Sequence, residues 1–134
     1  MAKSGTSNPS ALDHVRENKA GLRMGSDQYH EPANELSQEV RSFARVIMSM
    51  IEEADAIDWY EQRMSVEKDH EAKMIMQNAQ HEEMKHFAMD LEWLIRRKPK
   101  WKTVLQGVLF KSGEIVQNAQ VAEKAEMKTK QGLA

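Results

Sequence analysis

One uninterrupted stretch restricts the possible folds of this chain more than any other feature. Residues 33–64 contain neither glycine nor proline, so no residue there breaks a helix. Apolar side chains recur along it at steps of three and four residues, at Val40, Phe43, Ile47, Met50, Ile51, Ala54 and Ile57. This spacing is typical of an amphipathic helix with one apolar face. Such a helix would be about 45 Å long, at about 1.5 Å per residue.

A second long helix is predicted over residues 70–98. The periodic pattern is lost just before it, and Asp69 is placed to cap its first turn. Pro99 ends the helix, because proline cannot continue a helix of this kind. One stripe of this helix carries Met76, Ala79, Glu83, His86, Phe87, Asp90 and Leu94.

The predicted fold class is all-α. A third, shorter helix runs from Trp101 to Leu109 and stops near Gly113. Two long helices joined by a tight turn form an antiparallel hairpin. Such a hairpin leaves much apolar surface exposed, and the short third helix covers only part of it. We therefore expect the chain to oligomerise.

Polar segments flank the helical region. Residues 1–28 carry few apolar side chains and are predicted to be a flexible N-terminal extension outside the core. Residues 29–115 are the predicted helical domain. Residues 116–134 are polar and are predicted to be a C-terminal tail, either as a frayed helix or as irregular chain.

Composition argues against several classes of function. Charged residues make up 30% of the chain with a net charge of −2, which favours neither nucleic acid nor an anionic membrane as a partner. The chain has no cysteine, which excludes disulfides, thiolate metal sites and iron–sulfur clusters. It has no run of about 18 apolar residues and no apolar signal segment near its start. We therefore expect a cytoplasmic protein.

The motif Glu83-x-x-His86 carries the first sign of chemistry. Residues three apart lie on one face of a helix, so the carboxylate and the imidazole can reach the same point. Oxygen and nitrogen ligands together suit a transition metal, above all iron, better than calcium. Alone the motif is weak, because glutamate and histidine are common on helix surfaces.

The hairpin supplies a third candidate ligand. Glu53 and Glu83 lie fifteen residues on either side of Lys68, at the predicted turn, so they are expected at the same height. Glu53 also lies on the apolar stripe, where a carboxylate is costly unless it is paired or bound to metal. The alternative is that Glu53 lies at the edge of the stripe and reaches solvent. A second such motif, Glu67-x-x-His70, falls in the turn and is interpreted as capping.

The number of ligands indicates half of a metal site. Di-iron carboxylate bundles use one glutamate from each of two helices and a Glu-x-x-His motif from each of the other two. This chain has one such glutamate, Glu53, and one such motif in register with it. Two copies around a two-fold axis would complete a site for two irons and would also bury the exposed apolar stripes.

The sequence resembles the encapsulated ferritins over about residues 30–115. The resemblance rests on four blocks: His30-Glu31-Pro32, residues 50–63 (MIEEADAIDWYEQR), residues 82–94 (EEMKHFAMDLEWL) and Leu109-Phe110. It implies a subunit whose dimer reproduces a ferritin-like four-helix bundle, assembled into a homodecamer. It further implies a ferroxidase that oxidises Fe²⁺ to Fe³⁺ with oxygen, for iron storage within an encapsulin shell.

The resemblance also implies roles for individual residues. The ferroxidase ligands of the family match Glu53, Glu83 and His86. The family's metal-uptake residues match Glu52 and Asp55, where Asp55 is one methylene shorter than the usual glutamate.

Three further residues extend this set. Trp59 matches an aromatic residue expected to pack the subunit interface, and Tyr60 one that can hydrogen-bond near the metal. Asp90, four residues after His86, replaces the family's usual hydroxyl residue and is expected to orient the imidazole.

The route into a shell stays open. Family members usually end in a short peptide similar to Gly-Ser-Leu-Arg, which Gln131-Gly132-Leu133-Ala134 does not match, although Ala20-Gly21-Leu22-Arg23 resembles it faintly. The docking peptide is then N-terminal, or absent from this chain, or packaging uses another route.

Two other functions are the alternatives to a ferroxidase. A rubrerythrin-like di-iron peroxidase usually carries its ligands in one chain together with a cysteine-rich site, and neither is seen in this sequence. A metal-free helical scaffold or cargo adaptor would dimerise through the same apolar stripe without binding iron.

Overall fold

The computed structural model describes residues 29–132, and this part of the chain is entirely helical. It contains α1 (Gln38–Val66), α2 (His70–Arg97), α3 (Pro99–Val108) and α4 (Ile115–Gly132). The predicted all-α class is confirmed. The predictions for residues 1–28, and that for the last two residues of the chain, fall outside the described residues.

Helix α1 begins at Gln38, later than the predicted start at residue 33. The side chain of Ser37 accepts a hydrogen bond from the Val40 N–H at 3.2 Å, as an N-cap does. Pro32 lies in a separate turn, where its carbonyl accepts from the Glu35 N–H at 2.9 Å. The first turn of the helix therefore follows the capping serine and not the proline.

The described chain divides into two compact units at Met48–Ser49, inside α1. The first unit holds the turn at Pro32 and the start of α1. The second unit holds the rest of α1 and the three helices that follow, and it contains the candidate site described below.

The turn between α1 and α2 is held by side-chain hydrogen bonds. The Glu67 carboxylate accepts from the N–H groups of Lys68 and Asp69, both at 2.8 Å. The Asp69 carboxylate accepts from the Ala72 N–H at 2.7 Å, which caps α2 as predicted. The second Glu-x-x-His motif therefore serves the turn, and His70 is simply the first residue of α2.

Beyond Ser49, α1 runs antiparallel to α2. The Gln80 side chain donates to the Ile57 carbonyl at 3.1 Å, and these two residues are almost equally far from Lys68. Along the described residues, only Leu94 and Gln80 are buried. Large apolar side chains are exposed elsewhere: Trp59 is 50% exposed and Phe110 fully exposed.

The C-terminal part of the chain folds back as two helices. Pro99 occupies the first turn of α3, which packs against α2. Helix α4 packs against α3 where Gly107 meets Ala122, so closely that any side chain at position 107 would clash with the alanine Cβ. Of the two alternatives for the C-terminal segment, the structure shows a helix over the described residues 116–132. None of the helices in residues 29–132 combines the length and the apolarity needed to cross a bilayer.

Candidate metal centre

Helix α2 supplies two of the three candidate ligands. Glu83 and His86 lie one turn apart, and the Nδ1 atom of His86 is 3.2 Å from the Oε2 atom of Glu83. Both residues lie in the middle of a 28-residue helix whose ends are fixed by a capping aspartate and a proline. The helix therefore holds carboxylate and imidazole side by side on one face.

Helix α1 supplies the third ligand across the hairpin. The Oε2 atom of Glu53 lies 4.0 Å from the Nδ1 atom of His86. Ligand atoms of Glu53, Glu83 and His86 all lie within 4.8 Å of one another. The structure thus brings together the three residues that the motif and the position of the turn select in the sequence.

The pKa values of the two carboxyl groups in this cluster are shifted in opposite directions. The hydrogen bond with Glu83, followed by partial burial and the charge of Glu83, raises the pKa of Glu53 to about 7. The charge of His86 opposes this rise, and the charge of Asp90 adds to it. Hydrogen bonds from Glu53 and from His86 lower the pKa of Glu83. Below about pH 7 a proton is therefore favoured on Glu53 rather than on Glu83.

This arrangement suits a cation. Two carboxylates at this separation repel each other unless a proton or a metal lies between them. The donor set of carboxylate oxygen and imidazole nitrogen fits a first-row transition metal such as iron. The side chains of Glu53 and Glu83 are 23% and 25% exposed, and that of His86 is 47% exposed, so an ion can reach all three. Three donors from one chain also leave coordination positions open.

Other residues predicted for the site lie outside this cluster. Glu52 and Asp55 are exposed on α1, three residues apart and so on a common face. Tyr60 is half-buried and lies two turns from Glu53, where the guanidinium of Arg63 sits 5.3 Å from the centre of its ring. The structure therefore does not bring the carboxylates of Glu52 and Asp55 into the group of ligand atoms.

Asp90 lies at the edge of the cluster. It is half-buried one turn after His86 on α2, and its negative charge acts on Glu53. Its placement is compatible with the predicted role of orienting the imidazole.

Sequence reasoning missed one residue beside the site. Gln80 lies one turn before Glu83 on α2, is only 7% exposed, and donates both to the Ile57 carbonyl and to the Glu61 carboxylate. The available signal was a polar side chain inside the stripe that runs through Met76 and Glu83.

Known proteins share this chain's sequence and fold. A sequence model of the EncFtn-like family matches residues 28–112. A "Ferritin-like protein" of Thermotoga maritima is 45% identical over 85 residues, which cover 63% of this chain and 75% of that protein. An "Encapsulated ferritin-like protein" of Rhodospirillum rubrum is 39% identical over 94 residues, which cover 70% of this chain and 67% of that protein.

A solved structure agrees with these relatives. The crystal structure of a Nitrosomonas europaea protein superposes with a TM-score of 0.64 at 43% identity, over 66% of this chain and 98% of that one. The residues matched by the family model include α1, α2, α3 and all three residues of the cluster. Helix α4 lies beyond them. The resemblance seen in the sequence blocks is confirmed: the chain belongs to the EncFtn-like family of encapsulated ferritins.

Proposed function

We propose that this protein is a ferroxidase, which oxidises Fe²⁺ to Fe³⁺ with oxygen at a di-iron site shared by two copies of the chain. The observation that carries the proposal is the cluster of Glu53, Glu83 and His86, with ligand atoms within 4.8 Å of one another in a member of a ferritin-like family. Iron is the substrate here, and the protein supplies the ligands and their geometry.

The need for a second copy follows from the number of donors. One chain offers two carboxylates and one imidazole, half of the set that di-iron carboxylate bundles use. A two-fold partner would add the same three groups, and the two hairpins would together form a four-helix bundle for two irons. Exposed apolar side chains such as Trp59 and Ile51 support this pairing, because they are otherwise in water. We extend the proposal to a homodecamer built from such dimers.

Each residue has a role in the proposed reaction. Fe²⁺ reaches the site past the carboxylates of Glu52 and Asp55, then binds Glu83 and His86 while Glu53 releases its proton. Each Fe²⁺ gives one electron to oxygen, so the pair reduces one O₂ to hydrogen peroxide, with two protons taken from the site and the solvent. Tyr60 hydrogen-bonds near the metal when the two subunits are assembled, and flexible carboxylates release Fe³⁺ for storage.

The proposed location is inside an encapsulin shell in the cytoplasm. The name of the Rhodospirillum rubrum relative describes an encapsulated protein, and the two sequences are 39% identical. The shell protein is therefore the proposed partner, and it would receive the Fe³⁺ that the dimer produces.

Replacing Glu53 by glutamine tests the proposed activity. Glutamine keeps the size of the side chain but cannot take the charge that the metal requires, so we expect rapid oxidation to be lost. Protein would be loaded anaerobically with Fe²⁺ and then aerated, and Fe³⁺ formation would be followed by absorbance. Glu71→Gln, at an exposed glutamate in the first turn of α2, is the matched control and should oxidise iron like the unmodified protein.

Three results would contradict the proposal. Full oxidation by Glu53→Gln would remove Glu53 from the site. Native mass spectrometry showing the same assembly with and without Fe²⁺, and no bound iron, would favour a metal-free scaffold. Consumption of peroxide faster than oxygen would instead favour a peroxidase of the rubrerythrin kind.

A further inference from the structure

We propose that Gln80 is a positioning residue, which sets the register of α1 against α2 and so holds Glu53 opposite Glu83 and His86. The inference rests on the proposed iron site, because it explains how the ligands of that site are aligned. The hydrogen bonds of the Gln80 side chain go to Ile57 and Glu61 and not to the three ligands. Gln80 therefore acts through the placement of the two helices.

The Gln80 amide bridges the two helices at one level. Its Nε2 group donates to the backbone carbonyl of Ile57 at 3.1 Å and to the carboxylate of Glu61 at 2.8 Å. Ile57 and Glu61 are one and two turns beyond Glu53 on α1, and Gln80 is one turn before Glu83 on α2. The bridge therefore lies beside the cluster, on the side of the hairpin turn.

The burial of Gln80 makes the bridge specific. Among the described residues it is the only polar side chain that is buried, at 7% exposure. Apolar side chains between two helices tolerate several alignments, whereas a buried amide loses its partners when the helices slide or rotate. A slip of one turn, about 5.4 Å, is larger than the 4.8 Å within which the ligand atoms lie, so it would break the cluster.

The charge of Glu61 makes an amide the suitable group at position 80. A donor N–H paired with a carboxylate forms a charge-assisted hydrogen bond, which is stronger than one between neutral groups. A carboxylate at position 80 would face the Glu61 carboxylate and repel it. Exchanging both groups, with an acid at 80 and an amide at 61, would restore a donor and an acceptor between these two side chains, but not the hydrogen bond to the Ile57 carbonyl.

This exchange gives the experiment. Co²⁺ binding to Gln80→Glu, Glu61→Gln and the double variant would be measured anaerobically at neutral pH, by titration and by the visible spectrum of the bound ion. We expect Gln80→Glu to lose about tenfold in Co²⁺ affinity and to change the spectrum, a loss typical of groups that support metal ligands. The double variant should recover part of the affinity and move the spectrum back toward the original, because it restores the bond between positions 80 and 61 but not that to the Ile57 carbonyl. Glu61→Gln alone keeps an acceptor oxygen and should bind nearly as the unmodified protein does.

A matched control distinguishes a change in the register of the two helices from the effect of the added negative charge. Gln77 is an exposed glutamine one turn earlier on α2, so Gln77→Glu adds the same charge away from the bridge and should leave Co²⁺ binding unchanged. Helicity by circular dichroism and the oligomeric state would be recorded for every variant. Unchanged affinity and spectrum in Gln80→Glu would overturn the proposal, as would a double variant no better than Gln80→Glu.

A second variant covers a failure of Gln80→Glu to fold. Gln80→Asn keeps the amide but is one methylene shorter, so it should retain helicity yet lose Co²⁺ affinity; retained affinity would overturn the proposal. Co²⁺ binding needs no oxidation, which separates the two hypotheses. An unmodified protein that binds Co²⁺ but does not oxidise Fe²⁺ contradicts the ferroxidase proposal and leaves that for Gln80 standing.

Discussion

In the proposed site, Glu53 is the residue at which a proton and the metal would compete. Its pKa is raised to about 7, chiefly by the hydrogen bond with Glu83, so in the metal-free protein it keeps its proton in mildly acidic solution. Metal binding needs the carboxylate and must release that proton, so the apparent affinity is lower below pH 7 and rises as the pH passes through about 7.

We therefore expect anaerobic Fe²⁺ binding to strengthen with pH. One competing proton gives at most about a tenfold gain in affinity per pH unit below the pKa. Titrations between about pH 6 and pH 8 would measure the slope, and the proton released on binding would be counted with an indicator dye. An affinity that is constant over this range, with no proton release, would show that Glu53 is not a ligand.

At the scale of the elements, the turn between α1 and α2 decides which residues face each other. Asp69 caps α2 through the Ala72 N–H at 2.7 Å. Asp69→Ala should destabilise the protein by about 1 kcal/mol, the usual effect of losing such a cap. Denaturation by urea at equal protein concentration would measure the change, because stability of an oligomer depends on concentration.

The control for the cap is an exposed aspartate inside a helix. The Asp58 side chain is exposed and accepts a hydrogen bond from the Gln62 side chain, one turn further along α1. Asp58→Ala should therefore change the free energy of unfolding by no more than about 0.5 kcal/mol. Equal effects of the two substitutions would mean that Asp69 contributes nothing as a cap.

The same elements show what sequence reasoning can reach. The pairing of Glu53 with Glu83 was predictable, because both helices are long and the turn is short, so distance from Lys68 fixes the height of each residue. The start of α1 was predicted too early, because a helix can begin either at Pro32 or after Ser37. The serine forms the actual cap. Two such starting positions for a helix differ little in free energy, and the periodicity of apolar residues does not show which one is used.

Two features depended on packing and could not be read from periodicity. Helix α4 is polar along most of its length, and it meets α3 through the small residues Gly107 and Ala122, which leave no apolar stripe to detect. Gln80 is a polar residue whose burial follows only from the approach of α1. In both cases the contact between helices decides the outcome, and for Gln80 the sequence offers only its position inside the stripe of α2.

At the scale of the whole molecule, the proposed function makes the chain half of a site, and the chain exposes apolar side chains that a second copy would cover. Trp59 is 50% exposed on the same helix as Glu53. If dimers are the active unit, a charge at this surface should separate the copies and abolish oxidation while the individual ligands remain in place. Trp59→Glu is therefore expected to be monomeric and inactive, with the helical content retained.

A matched variant distinguishes this effect from general damage. Val116 is 68% exposed on α4, beyond the residues matched by the family, so Val116→Glu should stay dimeric and active. Mass photometry or sedimentation would give the oligomeric state, and iron analysis would give the stoichiometry, expected to be one iron per chain in active dimers. A Trp59→Glu monomer that still oxidises Fe²⁺ rapidly would show that one chain suffices. The three ligands within 4.8 Å would then be a complete site and not half of one.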